Sequence, residues 1–175
     1  MKKDNWIIKA FLMTFFIALF FSSTSNLIIN NCNYIALIVL LIFFILFGIL
    51  FDIIGTAVLT ANEATFHAKS TKKIVGSKEC IYLLKNSSRI SSICNDIIGD
   101  ICGIVSGSIG AMLAIYITDV SGLSIVFSTL LISSLVSSMT VGGKAIGKKY
   151  AITNSDNITF TVGKILYKFR GKKIK

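Results

Sequence analysis

The chain has no proline and a single histidine, and it carries only eight Asp and Glu against eighteen Lys and Arg. Each scarcity excludes something. Without proline the commonest helix breaker is missing, so long apolar runs can stay helical. His67 is the lone histidine, and the four cysteines form neither a CxxC pair nor a zinc spacing, so no zinc ligand set exists. Cys32, Cys80, Cys94 and Cys102 read as structural thiols that pack as small hydrophobes. No GxSxG, P-loop or HExxH sequence occurs, and the chain is not expected to be an enzyme.

What is present is apolar. Hydrophobic residues make up 54% of the 175 and charged residues 15%, with a mean hydropathy of +0.79. A soluble domain averages about 45–50% apolar and about 25% charged. The excess falls into long runs, and a membrane helix needs about 20 mostly apolar residues. Residues 34–61, 93–117 and 123–141 meet that need, and 6–21, slightly short and carrying Lys9 near its start, is the remaining candidate. The expected fold is all-α: an integral membrane bundle of four transmembrane helices plus a basic amphipathic juxtamembrane helix. Residues 1–33 supply the first helix and an outer loop, and 34–143 form the core, with a cytoplasmic connection at 62–92. Residues 144–175 form the basic tail.

The positive charges fix an expected orientation. Lys2, Lys3 and Lys9 open the first span, six Lys and Arg lie in 62–92, and nine follow residue 143. The connections at 22–33 and 118–122 hold none. Four spans with both termini cytoplasmic put every cation on the inner side or at its boundary, as the positive-inside rule requires. The chain is expected in the cell membrane, multi-pass. A cleaved signal peptide at the first apolar run is the alternative, although no A-x-A site follows it. The formal net charge of +10 is explained by topology and by anionic headgroups at the tail, so no nucleic-acid partner is expected.

Candidate chemistry begins with an acid in the second span. If residues 34–68 form one continuous helix, Asp52, Thr56, Glu63 and His67 share about 60° of arc, a single polar stripe. A carboxylate at a helix centre costs about 2.5–3.5 kcal/mol, so Asp52 must face another helix or water. In the third span Asp96 and Asp100 stand at i and i+4, and Gly99, Gly103 and Gly107 repeat every fourth residue, a spacing for close helix packing. Ser134, Ser137 and Ser138 add hydroxyls in the fourth span, with Ser133 and Thr140 nearby. Oxygen-only ligands suit Mg²⁺, Mn²⁺ or Ca²⁺.

Plainer alternatives remain for each. Serines can bond the carbonyl one turn back, Asp96 with Asn95 can cap a helix, and Glu63 with His67 can form a surface pair. In the tail, Ile158, Val162, Ile165, Leu166 and Phe169 share a helix face suited to the inner leaflet, and a strand at 158–162 is the other option.

The order of these elements resembles the transmembrane domain of the cyclin-M/CorC family of magnesium transporters, over about residues 40–170. "DIIGTAV" (52–58) stands where the family has a SAxETAL-like motif, and "YLLKNSSRISS" (82–92) closes the charged stretch. "IIGDICG" (97–103) takes the GNN position, and "TVGGKAIGKKYA" (140–151) the EIIPK position. The family's glutamate falls on Gly55 and its serine on Asp52. Its asparagine falls on Asp100, its second glutamate on Thr140 and its proline on Gly143. The resemblance implies divalent cation transport, Mg²⁺ above all, and a homodimer, but the family's ligands do not transfer intact. Asp52, Asp96 and Asp100 are the expected ligands on their own chemistry, with Ser134, Ser137 and Ser138 as further oxygen donors. The alternative function is a non-transporting membrane subunit that docks a partner protein.

Overall fold

The computed structural model describes residues 5–29 and 33–170, with side chains over 6–23 and 33–169. Helix covers nearly all of it: α1 (Asn5–Ile29), α2 (Tyr34–Thr60), α3 (Glu63–Thr71), α4 (Ser77–Lys85) and α5 (Ser87–Ser91) come first. A π-helix (Ser92–Ile98) leads into α6 (Gly99–Ser121), and α7 (Ile125–Thr153) and α8 (Ser155–Arg170) follow. No strand occurs among the described residues, so 158–162 is helical. Four helical stretches are long and apolar enough to cross a membrane: Trp6–Ser23, Tyr34–Thr60, Ser87–Ser121 and Ile125–Thr153. Their outer faces suit lipid. Ile7, Phe11, Phe16, Val126 and Leu130 are each at least 60% exposed, a surface that would drive aggregation in water.

One sequence expectation is overturned at the end of α2. Residues 34–68 are not a single helix, because Asn62 takes an extended backbone (φ −85°, ψ 115°) and its side chain accepts from the Ala64 N–H. An Asn at this N-cap, followed by Glu63 in the first turn, starts a new helix. The stripe is therefore split, with Asp52 and Thr56 on α2 and Glu63 and His67 on α3.

The chain divides into two compact units, Met1–Ile49 with Ile97–Gly143 and Leu50–Asp96 with Lys144–Lys175. In the first unit the core is aliphatic and aromatic: Phe44 and Ile45 from α2, Val105, Ile109 and Leu113 from α6, and Val136 from α7. Glycine permits close approach. A Cβ on Gly48 would lie 3.0 Å from the Cys102 Cβ, and one on Gly110 would lie 3.2 Å from a Val136 methyl. Tyr34 and Tyr116 stack with centroids 5.1 Å apart.

In the second unit α4 packs against α3 and α8. Phe66, Cys80 and Thr159 are fully buried, and the Cys80 thiol donates to the Thr159 carbonyl at 3.5 Å. Gly163 sits against the Cys80 sulfur and the Gly76 carbonyl, where any side chain would collide. The Asn62 N–H donates to Asp156 Oδ1 at 2.9 Å, tying the start of α8 to the elbow between α2 and α3. The Lys69 ammonium lies 5.1 Å from the Phe66 centroid and 4.5 Å from that of Phe160. Thr159 and Gly163 thus form the buried seat of α8, while Ile165, Leu166 and Phe169 are exposed.

Candidate functional site

The apolar run of α2 continues past residue 51 without breaking, because nothing in it caps or kinks a helix. Asp52 is carried along and buried, 2% exposed. Gly55 and Thr56 follow at i+3 and i+4 on the same face, within about 100° of arc, and Thr56 is buried too. A buried carboxylate needs a charge partner, because desolvation costs several kcal/mol. Lys148 of α7 provides one, with Nζ 3.8 Å from Asp52 Oδ2, and the lysine side chain is half exposed.

The π-helix lies against this face. A Cβ on Gly55 would come within 2.9 Å of the Cys94 Cβ and would overlap Asn95 Oδ1. The Asn95 amide therefore rests directly on the α2 backbone at Gly55. Its Nδ2 donates to Ser91 Oγ at 3.2 Å, and Ser91 is buried. Its Oδ1 is buried and has no hydrogen-bond partner among the described residues. A buried acceptor left this way loses its hydration without replacement, and π-turns recur where a helix is shaped for function. Asp52 and Thr56 on α2 carry a carboxylate and a hydroxyl, and Ser91 and Asn95 on the segment that packs at Gly55 carry a hydroxyl and an amide oxygen, all hard oxygen donors.

The remaining expected ligands have surroundings of their own. Asp96 lies within the π-helix, continuous with α5, so it does not cap α6, and both it and Asp100 are exposed. Ser134 donates to the Leu130 carbonyl at 2.7 Å and Ser138 to that of Leu135 at 2.8 Å. Ser137 lines a groove of about 250 Å³ with Gly103 and Gly107, whose Cβ positions meet nothing within 4 Å. Gly99 is buried, its carbonyl 3.6 Å from a Cβ placed on Gly48. His67 and Glu63 form an exposed pair at 3.2 Å. Among the described residues no three His, Cys, Asp or Glu side chains gather as a metal cage. Cys80, Cys94 and Cys102 are buried and form no disulfide among the described residues, and Cys32 lies outside the described residues.

Three residues of this site escaped the sequence. Asn95 read as a capping partner, Lys148 as one of many topological charges, and Ser91 as part of a connection. No protein-family model, curated protein or solved structure matches this chain.

Proposed function

We propose that the chain binds a divalent cation, Mg²⁺ before Mn²⁺ or Ca²⁺, and takes part in moving it across the membrane. The observation that carries this is a buried carboxylate, Asp52, on the face that packs against a buried amide oxygen without a hydrogen-bond partner, Asn95 Oδ1. Mg²⁺ keeps several waters and is commonly held by one or two carboxylates, so it does not require a cage of acids. Asp52 supplies the anionic ligand, Asn95 a carbonyl oxygen, and Thr56 and Ser91 hydroxyls. Lys148 stands in for the cation. Its half-exposed stem can swing toward water as the ion takes its place beside Asp52. Asp96 and Asp100, both exposed, would attract the ion rather than bury it.

The same proposal places the chain in the cell membrane with both termini cytoplasmic, supported by the one-sided distribution of Lys and Arg. It makes the protein a homodimer, supported by the open Gly103–Gly107 face. Thermal melting in detergent tests the cation site. Mg²⁺ should raise the midpoint of the wild type, and Asp52→Asn or Asn95→Leu should remove that response. The ion pair also fits a non-transporting subunit that docks a partner, with Asp52 and Lys148 as packing groups. That alternative wins if Mg²⁺, Mn²⁺ and Ca²⁺ all leave the wild-type midpoint unmoved.

A further inference from the structure

Two adjoining grooves lie where α4 meets α8, within the unit formed by residues 50–96 and 144–175. The first, of about 450 Å³, is walled by Ser70, Thr71, Lys73, Lys78 and Tyr167. The second, of about 280 Å³, is walled by Tyr82, Leu166 and Phe169. Glu79 borders both and is the only acid among the lining residues. Lys72 and Lys168 are exposed nearby in sequence, and Lys73 holds a left-handed backbone, φ +53°. Around this polar groove the surface is unusually apolar for a segment rich in lysine: Val75 and Tyr82 are each 54% exposed and Phe169 is 77% exposed. These side chains are not waiting for a place in the core, because Thr159 and Gly163 already fill the contact between α8 and α4.

We infer that the joined grooves dock an anionic phospholipid of the bilayer surface. The phosphate sits among Lys73, Lys78 and the hydroxyl of Ser70, while the Thr71 hydroxyl donates to the His67 carbonyl at 3.1 Å, and an acyl chain runs along Tyr82, Leu166 and Phe169. Both halves of the surface are needed to choose this occupant. A soluble phosphate has no use for the apolar groove, and a neutral lipid has none for the lysines. Basic side chains beside aromatic and aliphatic ones are the composition of interfacial anchors, with lysine stems lying along apolar surface and their heads at the phosphate level. The first turn of α4 opens into the polar groove and adds the positive end of its dipole. The contact thus extends beyond the basic tail to the loop at 72–76 and to α4. It uses no residue of the Asp52 site.

The test places a reporter on the apolar groove. The full chain carrying Trp6→Phe and Phe169→Trp is reconstituted in nanodiscs of phosphatidylcholine, alone or mixed with phosphatidylglycerol, with brominated acyl chains as quencher. Phe169 is largely exposed, so the exchange spares the fold. Tryptophan emission should be quenched in the anionic discs and much less in the neutral ones. Lys73→Gln and Lys78→Gln should each lower the docked population about fivefold. Equal quenching in both discs overturns the proposal in favour of unselective apolar contact. Release of the tryptophan by added inorganic phosphate overturns it in favour of a soluble anion. Absence of quenching in both discs shows that this face meets something other than lipid, an acidic partner protein included.

Discussion

Lys148 Nζ stands 3.8 Å from Asp52 Oδ2, one partner half exposed and the other almost sealed from solvent. The asymmetry decides what each substitution does. Removing Lys148 leaves a buried carboxylate with less compensation, which costs between the ~1 kcal/mol of an exposed pair and the ~3–5 kcal/mol of a buried one. Lys148→Met should therefore lower the melting midpoint in the absence of divalent ions. If Lys148 is the ion's competitor, the same variant should bind Mg²⁺ about tenfold more tightly for every ~1.4 kcal/mol of lost competition. Calorimetric titration with Mg²⁺ reads this directly, and a weaker or unchanged affinity removes Lys148 from the cation mechanism.

Gly55 gives a second, purely steric prediction. An alanine in a helix interior normally gains about 1 kcal/mol over glycine. At this position the methyl meets Cys94 Cβ at 2.9 Å and overlaps Asn95 Oδ1, and overpacking of that kind costs about 1–3 kcal/mol. Gly55→Ala should be destabilising on balance, and Asn95→Ala should relieve it in the double variant. Simple additivity of the two midpoints would show that the amide does not rest on α2 at Gly55.

The spans were legible because hydrocarbon selects on run length and composition, which local sequence displays in full. The elbow at Asn62 was legible in principle, since Asn followed by Glu is an N-cap signal, but an unbroken polar stripe through Thr56 and His67 outweighed it. Asn95 was hidden for a different reason. A π-turn shifts the helical phase, so a wheel drawn at 100° per residue turns every later side chain to the wrong face. Lys148 was hidden by distance along the chain, because nothing local distinguishes it from Lys144 or Lys149.

The glycine face of α6 separates folding from association. A Cβ at Gly103 or Gly107 meets nothing within 4 Å, so Gly107→Ala should stabilise the isolated protomer, by up to about 1 kcal/mol. If a second copy packs there, Gly107→Leu should break the dimer while leaving the protomer folded. Light scattering in detergent, read beside the melting midpoint, distinguishes the two effects. A variant that stays dimeric places the subunit contact on another face.

Cys80 supplies a pH dependence. Burial pushes its thiol up from the ordinary 9.0 to about 11, and the nearby Lys69 charge pulls the other way without reversing it. Between these values the unfolded chain has released the proton and the folded chain has kept it. Proton release then favours unfolding, so stability from this group is complete below pH 9 and falls as pH rises toward 11. Melting midpoints across that window should decline more steeply in the wild type than in Cys80→Ala. The alanine variant itself should be less stable at neutral pH, because it loses the contact with Thr159 and leaves a small void beside Gly163. Alkylation gives an independent readout: at pH 8 the native thiol should resist iodoacetamide until the unit opens, and rapid labelling at Cys80 itself, located by peptide mass, would mean that it is not sealed between α4 and α8.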